Sequence, residues 1–148
     1  MNAPFSRFLA AVAVLGVVSS TSAHANAPAG RYTMTGGTVF DTKTKLTWQQ
    51  TVPATKYAWA AAKTYCQTLS LAGTGWRLPT RKELQTIVDY SQKSPSIDAT
   101  AFPATPAEAF WSSSPVAGST TVAWSIYFII GLTYSFVVAD PNEVRCVR

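Results

Sequence analysis

Two cysteines, Cys66 and Cys146, stand far apart in this 148-residue chain. Whether they are joined decides what the chain can fold into, and that depends on the compartment. Met1–Arg7 carries one positive charge, at Arg7, and Phe8–Val18 is an unbroken run of apolar and small residues. Polar residues follow as far as Ala23-His24-Ala25, the small-x-small pattern of a secretory cleavage site. The apolar run is too short to cross a bilayer as a helix. Residues 1–25 are therefore expected to be a signal peptide, 26–36 a short leader and 37–148 a single exported domain, periplasmic or outside the cell. In an oxidising compartment an even pair of cysteines reads as a disulfide. It would tie a central helix to the last strand, a long closure of the kind that most restricts an unfolded chain. The pair has no His or Cys neighbours to suit zinc and no C-x-x-C spacing to suit a redox dithiol.

The hydrophobic pattern supplies the elements to be joined. Val39, Phe40, Leu46 and Trp48 flank a polar Asp41-Thr42-Lys43-Thr44-Lys45 turn, which predicts a β-hairpin within Arg31–Gln50. An Ala-rich stretch follows, in which Trp59, Ala62, Cys66 and Leu69 recur at helical spacing, and Gly73 and Gly75 end it. Thr80 and Glu83 then form a T-x-x-E capping box, opening a second helix with Leu84, Ile87 and Val88 as its buried stripe. Trp76 and Leu78 enter the core just before it. Residues 91–121, rich in Ser, Pro, Thr and Ala, show no periodicity and read as a long loop anchored by Phe102, Phe110 and Trp111. Val122, Trp124, Ile126 and Phe128 alternate, as do Leu132, Tyr134, Phe136 and Val138 beyond Gly131. They predict a late hairpin, with Val144–Arg148 as a third strand.

Few residues suit chemistry. The sole histidine, His24, leaves with the signal peptide, so a histidine-based nucleophile or metal site is excluded from the mature chain. The formal charge of +5 drops by one when Arg7 is removed, and no dense Lys/Arg cluster suggests nucleic acid. Asp140, Asn142 and Glu143 are hard oxygen donors suited to calcium, although a turn with Pro141 at its corner accounts for the same residues. Trp111, Trp124, Tyr127 and Tyr134 could stack on sugar rings, and some of the four are expected in the core. Arg77 could face a ligand or tie loops together. At the tip of the late hairpin Ile129, Ile130 and Leu132 surround Gly131 where polar turn residues are usual, which suggests a partner contact.

Taken in order, "GTVFDTKTKLTWQQ", "YAWAAAKTYCQTL", "GWRLPTRKELQTIVDYS", "IDATAFP", "FWSSSP", "AWSIYF" and "VRCVR" resemble the Lcl C-terminal domain family, a bacterial secreted module named for a collagen-like adhesin. The resemblance runs from Gly37 to Arg148. It implies an α+β fold of the C-type-lectin-like kind: two helices packed on twisted antiparallel sheets, the chain ends brought together, and Cys66 joined to Cys146. "RLPTRKE" is also similar to a stretch of sulfatase-modifying domains with that fold. Their copper-binding cysteines have no free counterpart here, so their oxidase activity is not carried over. Nor is trimerisation, since the collagen-like stalk is absent.

The function expected on these grounds is a secreted, non-catalytic, cofactor-free binding module for glycans or for an envelope or extracellular protein. Family members linked to adhesion imply acidic polysaccharides, with Arg77, Lys82, Arg145 and Arg148 as contributors. One alternative is self-association through the late hairpin into a homo-oligomer. Another is a carbohydrate-active enzyme whose best carboxylates would be Asp98 and Glu108.

Overall fold

Gly36 and Gly37 both adopt positive φ, 57° and 79°. This is the backbone that a two-residue hairpin turn demands and that side chains resist. In the computed structural model, which describes residues 28–148, they join β1 (Tyr32–Thr35) to β2 (Thr38–Asp41). The expected signal peptide lies outside the described residues. β3 (Thr47–Gln49) pairs with the other edge of β2, giving an antiparallel sheet in the order β1-β2-β3. The hairpin predicted around Asp41–Lys45 is the β2–β3 pair. β1 is additional, falls within residues 26–36, which were expected to form a leader, and is anchored by side chains at its start. Tyr32 packs edge-on against Phe102 at 5.3 Å, and the Arg31 guanidinium lies 2.8 Å from the buried Asp41 carboxylate.

The first helix, α1 (Trp59–Thr68), buries Ala62 and Cys66, with Trp59 and Leu69 half-buried at its ends. The second, α2 (Arg81–Thr86), opens on the capping box read from the sequence. The Glu83 amide donates to Thr80 Oγ1 at 3.2 Å, and the Thr80 amide donates to the Glu83 carboxylate at 2.8 Å. The helix is only six residues long. Ile87, although buried as predicted, already lies beyond its end.

The second sheet runs β4 (Ala109–Pro115), β5 (Val122–Tyr127), β6 (Leu132–Val137), all antiparallel. β4 lies inside the segment predicted as loop. Ala109, Phe110, Trp111 and Ser112 are all buried. A strand covered on both faces has no period-two alternation to read. β4 also takes the place beside the late hairpin that Val144–Arg148 was expected to fill. That terminal segment goes to the first sheet. The Thr47 and Gln49 amides donate to the Arg148 and Cys146 carbonyls, and Arg77 and Val147 exchange amide bonds at 2.9 Å.

Two hydrophobic cores result. One joins Val39, Trp48, Leu84, Ile87, Phe102, Phe110, Ile126 and Phe128 between the sheets and α2. The other, under α1, gathers Trp76, Leu78, Trp111, Ala123 and Val144 around the Cys66–Cys146 disulfide. The expected class is thus observed: α+β, with two helices, two three-stranded antiparallel sheets and one disulfide.

The bridge spans 80 residues of sequence, a closure worth roughly 4 kcal/mol to the folded state in the chain-entropy account. Replacing Cys66 and Cys146 together by Ala should therefore lower the urea midpoint by an amount corresponding to about that energy. An unchanged midpoint would show that the surrounding contacts hold the terminus without the bridge.

Candidate functional site

Strand register decides which side chains share a surface. Trp111 faces Ser125, which faces Tyr134; Ala109 faces Tyr127, which faces Leu132; and Ala123 faces Phe136. All of them project from one side of the second sheet, because successive residues alternate sides. α1 and its disulfide cover the half with Trp111, Ala123 and Phe136. Towards the hairpin tip the cover ends, leaving Tyr134 43 % exposed, Leu132 47 % exposed and Tyr127 half-buried. The rings of Tyr127 and Tyr134 meet edge to face, 5.9 Å between centroids. With Glu108, Ala109, Phe136 and Asn142 they line a groove of about 370 Å³.

Charged groups gather at this groove. Lys56 Nζ stands 3.8 Å from a carboxylate oxygen of Glu108 and 3.8 Å from one of Glu143. The side chain of Glu108 is half exposed, whereas that of Glu143 is buried. Burial raises the Glu143 carboxyl above its ordinary value, against the opposing pull of Lys56. Asn142 and Tyr57 exchange backbone hydrogen bonds at 2.9 and 3.1 Å, while the Asn142 side-chain amide nitrogen is buried without a partner.

Trp124 lies on the opposite side of β5, where Thr80, Arg81, Lys82, Ser114 and Pro115 complete a second groove of about 390 Å³. The Arg81 guanidinium sits 5.3 Å from the Trp124 ring centroid, a cation–π arrangement.

Of the side chains expected to meet a ligand, Tyr127 and Tyr134 come together, and Trp124 faces the other groove. Two expectations are corrected. Trp111 is fully buried, its indole N–H donating to the Tyr57 carbonyl at 2.8 Å. Arg145 is likewise buried. It donates to the Gln49 and Gln50 carbonyls at 2.9 and 2.7 Å and to Thr105 Oγ1 at 2.7 Å. Its guanidinium rests 4.6 Å from the Phe102 centroid, and desolvation pushes its pKa down to about 9. Neither residue can touch a ligand at the surface.

Arg77 forks onto Glu83 at 2.8 and 2.6 Å, so it secures the start of α2. Arg148 caps the Ala72 and Thr74 carbonyls. Of the calcium candidates, Asp140 is exposed, Asn142 bonds to Tyr57 through its backbone and Glu143 faces Lys56. No group of three or more His, Cys, Asp or Glu suited to a metal occurs among the described residues. Asp98, an enzyme candidate, accepts the Thr100 and Ala101 amides of its own turn.

At the hairpin tip Gly131 is buried at φ 73°, where a Cβ would collide with Val88. The Tyr90 hydroxyl donates to its carbonyl at 3.2 Å, leaving Ile130 and Leu132 as the exposed apolar side chains of the tip. Lys56 and Arg81 were missed in the sequence. Lys56 lies far along the chain from its carboxylates, and Arg81 meets Trp124 only through the fold.

Two consequences are measurable. Hydrogen bonds from Arg77, with help from the Thr80 amide, hold Glu83 near pKa 2 instead of 4.5. A depressed carboxyl stabilises the fold above its unfolded pKa and loses that effect as pH falls through the folded one. Stability should therefore decline from about pH 4.5 towards pH 2, and Glu83→Gln should flatten that part of the profile in thermal melts. Arg145→Met keeps bulk but strands two carbonyls and a hydroxyl. It should cost about 2–4 kcal/mol in urea denaturation.

No helix among the described residues is long and apolar enough to cross a membrane. A search of curated proteins returned no match. The family model for the Lcl C-terminal domain matches residues 37–148. That span takes in every element after β1, both half-cystines and the residues lining both grooves. The chain therefore belongs to the Lcl C-terminal domain family.

Proposed function

We propose that this domain is a non-catalytic glycan-binding module of an exported protein, and that the Tyr127–Tyr134 groove receives the sugar. One observation carries the reading: two tyrosine rings set edge to face stand on the uncovered half of a sheet whose other half is packed core. The C–H faces of a pyranose are apolar and its rim is hydroxylated. An aromatic floor beside carboxylate and amide groups matches both parts. Glu108 and Asn142 supply those groups here.

A second reading draws on the hairpin tip. Ile130 and Leu132 are 46 % and 47 % exposed beside each other across Gly131, as a self-association contact would need. Replacing both by Ser should then convert an oligomer to a monomer in sedimentation without altering the fold. A wild-type chain that already sediments as a monomer rejects this second reading.

For the leading reading, Tyr134→Ala removes an exposed ring and leaves the cores intact. It should weaken oligosaccharide binding about tenfold, measured by titration calorimetry, with the thermal midpoint nearly unchanged. Unaltered affinity would move the sugar to another surface, the Arg81–Trp124 groove first.

A further inference from the structure

The charges around the aromatic groove point to a narrower class of ligand than sugars in general. This step rests on the glycan reading above. Glu108 lines the groove, and Glu143 lies behind it, sharing Lys56 with Glu108. At 3.8 Å the ammonium is outside hydrogen-bond distance of both carboxylates. Two negative groups are thus served loosely by one positive group, leaving an excess of negative charge. That excess adjoins tyrosine rings, whose faces themselves attract cations through their quadrupole.

We infer that the Tyr127–Tyr134 groove selects saccharides bearing a protonated amine, amino sugars of the glucosamine class. The ring of such a sugar would lie on the tyrosines. Its ammonium would supply the hydrogen bonds to Glu108 that Lys56 does not make. An N-acetylated sugar has the same ring but no charge to offer. A uronate or sulfate in this groove would face carboxylates, a repulsive contact that discriminates as effectively as an attractive one. The acidic polysaccharides expected from the sequence therefore do not suit this groove. Their charge suits Arg81 and Lys82 on the other side of the sheet.

The test compares three oligosaccharides of equal length: a β-linked glucosamine oligomer, its fully N-acetylated counterpart and a uronic-acid oligomer. Each is titrated calorimetrically into the disulfide-bonded domain, at low and high salt. The glucosamine oligomer should bind about three- to tenfold more tightly than the N-acetylated one, with the difference shrinking at high salt. Glu108→Gln should abolish that preference while keeping residual binding of both. The half-exposed Glu108 side chain makes this variant safe for folding. Equal affinity for the amine and N-acetyl forms, or a preference that survives Glu108→Gln, overturns the inference and leaves the glycan reading standing. Tighter binding of the uronic-acid oligomer that is insensitive to Tyr134→Ala overturns the inference and moves the sugar to the basic groove. No binding of any of the three overturns both.

Discussion

The terminal segment from Asn142 to Arg148 is the piece on which the architecture depends. It runs between β3 on one side and the approach to α2 on the other, bonding to Thr47 and Gln49 and to Arg77. Three successive residues then act in three directions. Arg145 fastens Gln49, Gln50 and Thr105, Cys146 bridges to α1, and Val147 fills the main core. A buried guanidinium is costly to desolvate. Here it has three oxygen acceptors and an aromatic face, and no salt-bridge partner among the described residues. Its role is to hold the end of β3 and the loop at Thr105 against the chain's last residues.

The aromatic groove follows from the same arrangement. Cys146 fixes where Cys66 sits, and so where α1 lies on the second sheet. With ten residues, the helix covers Trp111, Ala123 and Phe136 and stops short of Tyr127 and Tyr134. The groove is therefore defined by where a short helix ends. Its acidic character arises locally: Glu108 precedes β4, Glu143 lies alongside β4, and Lys56 comes in on the segment that leads to α1.

Much of the fold could be read directly because its signals are local. The capping box, the helical spacing through Cys66 and the alternation of the late hairpin each lie within a few residues. The disulfide was expected from the cysteine count together with an expected signal peptide. β4 escaped because burial on both faces removes alternation, and β1 escaped because Tyr32 and Arg31 act only through the distant Phe102 and Asp41. The site was half legible. Tyr127 and Tyr134 could be named, but sequence cannot separate them from Trp111, which has the same chemistry and faces the same side of the sheet. Only the reach of α1 distinguishes them. Arg145 misled for a related reason: its charge reads as surface, and its acceptors, two backbone carbonyls and the Thr105 hydroxyl, lie far along the chain.

The position of the terminal segment also orders events in time. A chain that crosses a membrane or leaves the ribosome from its N-terminus delivers residues 142–148 after every other described element. Until they emerge, the cleft between β3 and the segment at Arg77 has no occupant, and Cys66 has no disulfide partner. The earlier elements must wait in an incomplete state, with Trp48, Trp76 and Trp111 lacking part of their cover. Such a domain stays open until its last stretch arrives, and the closing of the cleft and the joining of Cys66 to Cys146 then depend on the same seven residues.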